Sequence, residues 1–268
     1  KLLSAAYIAD SVPSGPAPLT VSVSALKAVT APASTTNYYF KSSGNLDVLS
    51  NWGTSTDGNG SNPASFTANN QVFNIRNNAT PTIGASWTVS GTSSKVIVGD
   101  GTNACNFTIP SSYSVSGTVD VSAGATLTVA NTTNPSLGTL SSSSTVAFTA
   151  GSGQTVPAAT YGNLTISTTG GDATAGGNVV LAATSTLTVS SGSTLDLVTY
   201  TLTGGGTLLT TSGTGTIKTQ NTTSTPIPAS KTWTMTLKYN SASGQTVVAG
   251  TYANLDISGG NRTLINGG

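Results

Sequence analysis

Residues 178–197 read Asn178-Val179-Val180-Leu181-Ala182-Ala183-Thr184-Ser185-Thr186-Leu187-Thr188-Val189-Ser190-Ser191-Gly192-Ser193-Thr194-Leu195-Asp196-Leu197. Three short apolar runs, centred on Val180, Thr188 and Asp196, are separated by Ser, Thr, Ala and Gly. Leu202 begins the next one. Such runs, apolar-polar-apolar in their commonest form, carry the period of a half-buried strand. Strand centres roughly six to eight residues apart fall below the ~8–12 residue spacing of a sandwich or up-and-down barrel. Strands this short, reversed at every step, would leave little sheet to pair. A coil of three strands joined by gentle bends fits instead, and stacked coils of just over twenty residues make a parallel β-helix.

The pattern extends outward in both directions. Val72-Phe73-Asn74-Ile75, Val96-Ile97-Val98, Phe107-Thr108-Ile109, Leu127-Thr128-Val129, Val146-Ala147-Phe148 and Leu164-Thr165-Ile166 belong to the same class. Inward Leu, Val, Ile and Phe would stack as columns. Outward Thr and Ser meet water and favour strands when β-branched. Gly and Asn suit corners that need positive φ. About ten coils, ~4.8 Å apart, would make a rod of roughly 50 Å.

The chain also repeats itself. Ser152-Gly153-Gln154-Thr155-Val156 and Thr160-Tyr161-Gly162-Asn163-Leu164-Thr165-Ile166-Ser167 return as Ser243-Gly244-Gln245-Thr246-Val247 and Thr251-Tyr252-Ala253-Asn254-Leu255-Asp256-Ile257-Ser258. The offset is 243 − 152 = 91 residues, a super-repeat of some four coils. Val146 and Phe148 correspond to Leu237 and Tyr239, and Gly176-Gly177 to Gly267-Gly268. The second copy stops where the first runs on, so the solenoid is expected to continue past the chain end.

Three regions follow. Residues 1–36, punctuated by Pro13, Pro16, Pro18 and Pro32, read as an extended leader or linker. Residues 37–66, with Tyr38-Tyr39-Phe40, Leu46, Leu49 and Trp52, are the candidate cap over the first coil. Residues 67–268 are the solenoid. The expected fold is therefore all-β, a right-handed parallel β-helix with an N-terminal leader and cap.

Composition narrows the chemistry. Only 6% of the 268 residues are charged, the formal net charge is +1, and histidine is absent. All eight acids are aspartates. No basic patch points to nucleic acid, and no apolar run of about 18 residues spans a membrane as a helix. Without histidine, and with Cys105 as the single cysteine, classical zinc and imidazole catalysis are excluded. Cys105 reads as a buried small hydrophobe.

The Ser-Gly-Gln-Thr-Val…Thr-Tyr-x-Asn-Leu-x-Ile-Ser block resembles repeats in large secreted surface proteins of Bacteroidota. So does the opening Tyr38-Tyr39-Phe40-Lys41-Ser42-Ser43-Gly44-Asn45-Leu46-Asp47…Asn51-Trp52-Gly53. The resemblance spans roughly residues 37–268. It implies export by type IX secretion and an adhesin or gliding-motility role at the cell surface. Secretion or outer-membrane anchoring machinery would be the partner, with glycans or surfaces as targets.

The remaining motifs are weaker. Asp172 and Asp196 are separated in sequence by about one coil and are candidates for neighbouring coils, though solvated positions are the plainer reading. Asp57-Gly58-Asn59-Gly60 is a turn lacking the bidentate acid of a calcium loop. Gly204-Gly205-Gly206 and Gly170-Gly171 are corners. Trp52, Trp87 and Trp233 would stack sugars only if exposed. Thr126-Leu127-Thr128, Thr186-Leu187-Thr188, Thr201-Leu202-Thr203 and Thr232-Trp233-Thr234-Met235-Thr236 would form an ice-binding ladder only if they align on one flat face. Their irregular spacing argues for strand filler. No catalytic, metal or cofactor-binding residue is assigned. The expected function is a non-enzymatic structural or adhesive stalk, with a carbohydrate-binding or carbohydrate-active β-helix and an ice-binding solenoid as alternatives.

Overall fold

The computed structural model describes residues 34–76, 80–206 and 209–264. The leader up to residue 33 and the Gly267-Gly268 correspondence lie outside them. The described chain is nearly all β, with one three-residue 3-10 turn at Leu49–Asn51, wound as a parallel β-solenoid of about nine turns, one fewer than the strand spacing predicts.

Three six-stranded sheets carry the coils. The first holds Thr36–Phe40, Gln71–Ile75, Lys95–Val98, Thr118–Val121 and Ser136–Leu140, all parallel, with the two-residue strand Trp52–Gly53 antiparallel at its edge. The second stacks Cys105–Ile109, Ala125–Val129, Thr145–Phe148, Asn163–Ile166, Thr186–Val189 and Thr210–Ser212. The third stacks Gln154–Val156, Ala173–Ala175, Thr194–Asp196, Thr216–Thr219, Lys231–Tyr239 and Gly250–Ile257. A short fourth ladder joins Ala159–Tyr161, Val179–Leu181 and Leu202–Gly204. The final two strands of the third sheet run nine and eight residues, longer than the triplet pattern implies.

Register shows how the coil absorbs length variation. The coil from Val146 to its partner Leu164 is short (164 − 146 = 18), and the coil from Leu187 to Thr211 is longer (211 − 187 = 24). The difference sits in the corners: Gly204 (φ +85°) opens the last corner of the longer coil, and Gly213 (φ +87°) turns the chain just after that coil closes. A Cβ on either would lie 2.1 Å from a backbone oxygen of the previous coil, so no other residue fits.

Inward side chains form continuous columns. Phe107, Leu127, Val146, Leu164 and Leu187 stack in register and are fully buried. In the third sheet Ala173, Leu195, Ile217 and Leu237 do the same. Each buried Leu, Val or Ile stabilises by roughly 1.5–3 kcal/mol. At the N-terminal end the columns widen into rings. Trp52 stacks on Trp87 at 5.6 Å and meets Phe73 edge-on at 5.1 Å, with Phe66 packed against all three. At the other end Leu255 and Ile257, next in register after Leu237 and Tyr239, are 38% and 43% exposed.

The super-repeat is longer than four coils. Val146 steps to Leu164, Leu187 and Thr211, and Thr211 then touches Thr232 and Thr234 of the long strand. Leu237 lies further along that strand, already in the third sheet, paired with Ile217. The 91-residue period is thus four coils plus a step to the next side. The column Leu127–Val146–Leu164 of the second sheet reappears as Ile217–Leu237–Leu255 of the third.

Candidate functional site

The repeated Gly-Gln-Thr-Val residues build a clamp between coils. Gln154 is 3% exposed. Its Nε2 donates to the backbone oxygens of Val129 (3.1 Å) and Asn131 (2.8 Å) on the preceding coil, and to Asn134 Oδ1 (3.3 Å). Its Oε1 accepts from the Ala150 amide at 3.2 Å. Gln245, also 3% exposed, repeats the pattern: Nε2 donates to Thr219 O (2.9 Å) and Asn221 O (3.0 Å), and Oε1 accepts from the Ser241 amide (2.8 Å).

The acceptors reveal a further stretch of the repeat. Asn131-Thr132-Thr133 and Asn221-Thr222-Thr223 match at an offset of 221 − 131 = 90, one residue short of the later blocks. Asn131 and Asn221 each accept a bond two residues on, from the Thr133 and Thr223 amides. Their Nδ2 groups reach back a coil, to Ser111 O and Tyr113 O and to Thr199 O. The one-residue shift hides this match from a fixed-offset comparison. Tyr161 completes the motif by donating to Pro157 O (2.6 Å), and Tyr252 donates likewise to Val248 O. Burial pushes the Tyr161 phenol far above its ordinary pKa.

The two copies share this interior and one outward column, Thr126, Thr145 and Asn163 returning as Thr216, Thr236 and Asn254, and differ in the other. In the first, the outward positions Thr128, Ala147 and Thr165 lie in register on the second sheet. Their counterparts in the second copy are Lys218, Lys238 and Asp256, in register on the third. There Lys218 Nζ lies 2.6 Å from Asp172 and 3.0 Å from Asp196, and Lys238 lies 2.8 Å from Asp256. Asp172 and Asp196 do occupy neighbouring coils, as their spacing implies, but both are engaged by one ammonium. Burial pulls the Lys218 pKa down, and the two carboxylate hydrogen bonds outweigh it, leaving the pKa raised.

The second sheet presents two outward columns across six strands. One runs Asn106, Thr126, Thr145, Asn163, Thr186 and Thr210. The other runs Thr108, Thr128, Ala147, Thr165, Thr188 and Ser212. Asn163 ties its column together: Nδ2 donates to Thr145 Oγ1 (3.4 Å) and Ser144 O (3.2 Å), and Oδ1 accepts from the Thr186 amide (2.9 Å). Thr126-Leu127-Thr128 and Thr186-Leu187-Thr188 therefore share a face. Thr201-Leu202-Thr203 lies on the fourth ladder and Thr232–Thr236 in the long strand. A groove of about 470 Å³ borders the N-terminal end of the columns, with Pro81, Ile83, Pro110 and Tyr113 as apolar walls.

The remaining candidates resolve simply. Trp52, Trp87 and Trp233 are at most 1% exposed, so none offers a ring to a sugar. Trp52 Nε1 donates to Leu46 O at 2.8 Å. Asp57 accepts from the Asn59 amide (2.9 Å) and Asn59 Nδ2 (2.7 Å), which lowers its pKa and closes a turn. Asp100 accepts from the Asn103 and Thr102 amides (2.8 and 2.9 Å), and these bonds, with Arg76 at 3.6 Å, hold its pKa at about 2. Cys105 is fully buried, and burial pushes its thiol up to about 11. Among the described residues no cluster of three or more His, Cys, Asp or Glu could hold a metal ion, and no helix is long and apolar enough to cross a membrane.

Comparison of the chain with family models, curated proteins and solved structures yields no match.

Proposed function

We propose that this chain is a non-enzymatic, tension-resisting segment of a secreted bacterial surface fibre, holding distal regions away from the cell or bridging cell and substratum. One observation carries the reading. The super-repeat duplicates the buried cross-coil clamp and the core columns, while one of the two outward columns changes from Thr128, Ala147 and Thr165 to Lys218, Lys238 and Asp256. What is repeated is axial cohesion. The resemblance to Bacteroidota surface proteins supports export by type IX secretion and an anchoring partner at the outer membrane. Buried tryptophans and Lys218-bound aspartates favour the rod over a carbohydrate-active β-helix.

Single-molecule pulling from the two ends tests this. A coil of about 20 residues releases roughly 65–70 Å of chain, at ~3.3–3.6 Å per residue. The expected trace is a series of such steps that re-form on relaxation. Extension without measurable resistance overturns the mechanical role. Robust turnover of any substrate in a polysaccharide panel overturns the non-enzymatic one.

A further inference from the structure

We propose that the outer face of the second sheet binds ice, its two Thr-rich columns holding a layer of water in register with the crystal lattice. Register is the first argument. The pairings from Cys105–Ile109 to Thr210–Ser212 contain no shift, whereas the first sheet slips between Leu137 and Leu140 and the third between Trp233 and Thr236. The columns therefore repeat at ~4.8 Å along the axis and ~6.6–6.8 Å across each strand. These two distances are close to the oxygen repeats on a prism plane of ice. At eight of the twelve points a threonine places a methyl and a hydroxyl, with a χ1 that branching at Cβ keeps stiff, so little order is lost on binding; Asn106, Asn163, Ser212 and the nearly buried Ala147 take the other four.

Charge is the second argument. No column position is charged, yet the scaffold accepts charge in one of the columns, since the counterparts of Thr128, Ala147 and Thr165 in the second copy are Lys218, Lys238 and Asp256. The neutral face is a property of this copy and not of the fold. A charged group would keep its own hydration shell and disrupt a lattice-matched layer. Lys231, in a groove with Thr210, marks the C-terminal limit.

The alternative occupant is a crystalline polysaccharide. A glycan chain is gripped chiefly by rings stacking on its sugar faces. The columns contain no aromatic residue. This proposal is independent of the mechanical reading, and either can fail alone.

The test is freezing-point hysteresis together with partition of the fluorescently labelled full chain into a slowly grown ice hemisphere. Wild type is expected to show a hysteresis gap, to facet the crystals and to enter the ice. Thr165→Lys and Thr128→Lys, each in mid-column, are expected to lose most of the gap while keeping wild-type circular dichroism. Thr160→Lys, exposed on the fourth ladder, should keep it. Exclusion of wild type from ice overturns the proposal, whatever the variants do. So does equal loss in all three variants, or wild-type binding to cellulose or chitin that Thr165→Lys abolishes while ice partition is absent.

Discussion

Gln154 shows why a repeat rich in polar residues builds a tight interior. A buried amide is destabilising unless both its ends find partners. Here they join two coils, since the Nε2 bonds reach carbonyls 154 − 131 = 23 and 154 − 129 = 25 residues back. Val129 O also accepts from the Thr149 amide, so Gln154→Leu orphans chiefly Asn131 O and the Ala150 amide. At about 1–3 kcal/mol for each of the two orphaned groups, the variant should lose roughly 2–6 kcal/mol in a urea titration. Loss below about 1 kcal/mol would mean that water replaces the clamp. Asp100 gives a residue-scale pH effect. Its pKa is depressed from 3.8 to about 2, so its stabilisation is complete above pH 3.8 and lost as pH falls through about 2. The stability gap between wild type and Asp100→Ala, from thermal melts across pH, should be full at pH 5 and shrink steadily toward pH 2. A gap independent of pH would contradict the assignment.

At the scale of elements, stacking decides how much a side chain matters. Leu164 is fully buried between Val146 and Leu187 in its column, and Leu164→Ala should cost about 2–5 kcal/mol. Leu255 holds the equivalent place in the second copy, but 38% of it is exposed. Leu255→Ala should cost less than about 1.5 kcal/mol, below the range for full burial. Differential scanning calorimetry of the pair checks the ordering, and equal losses would contradict the column argument. The triplets around Val96, Phe107, Leu127, Val146, Leu164 and Leu187 were legible as strands because apolar-polar alternation demands one buried face. The length of Lys231–Tyr239 was not. Its alternation Trp233, Met235, Leu237, Tyr239 runs on without a Gly, so one strand serves the second side of the coil and then the third.

In the whole solenoid each coil meets only its neighbours, so stability is a sum of nearly local terms. That is why stepwise extension is the expected response to force. It is also why the short coil after Val146 and the longer one after Leu187 coexist: a longer coil adds chain at a corner and leaves the ladders intact. The same tolerance hides the outer face from a linear reading. Down one Thr column the chain takes unequal steps: 128 − 108 = 20 from Thr108 to Thr128, 147 − 128 = 19 to Ala147, 165 − 147 = 18 to Thr165 and 188 − 165 = 23 to Thr188. The steps look irregular in sequence and are regular in space.

The order of residues alone determined that this chain coils, which side chains turn inward, that histidine-dependent chemistry is excluded and that a long unit is duplicated. Alternation and composition are local properties, and the hydrophobic effect acts on them locally. Only the tertiary structure decided that the duplicate is rotated to the next side, that its glutamine binds the coil before it, and that scattered threonines share one uncharged face. Those facts depend on interstrand register, and hydrogen bonding between coils sets that register without regard to the length of chain between them.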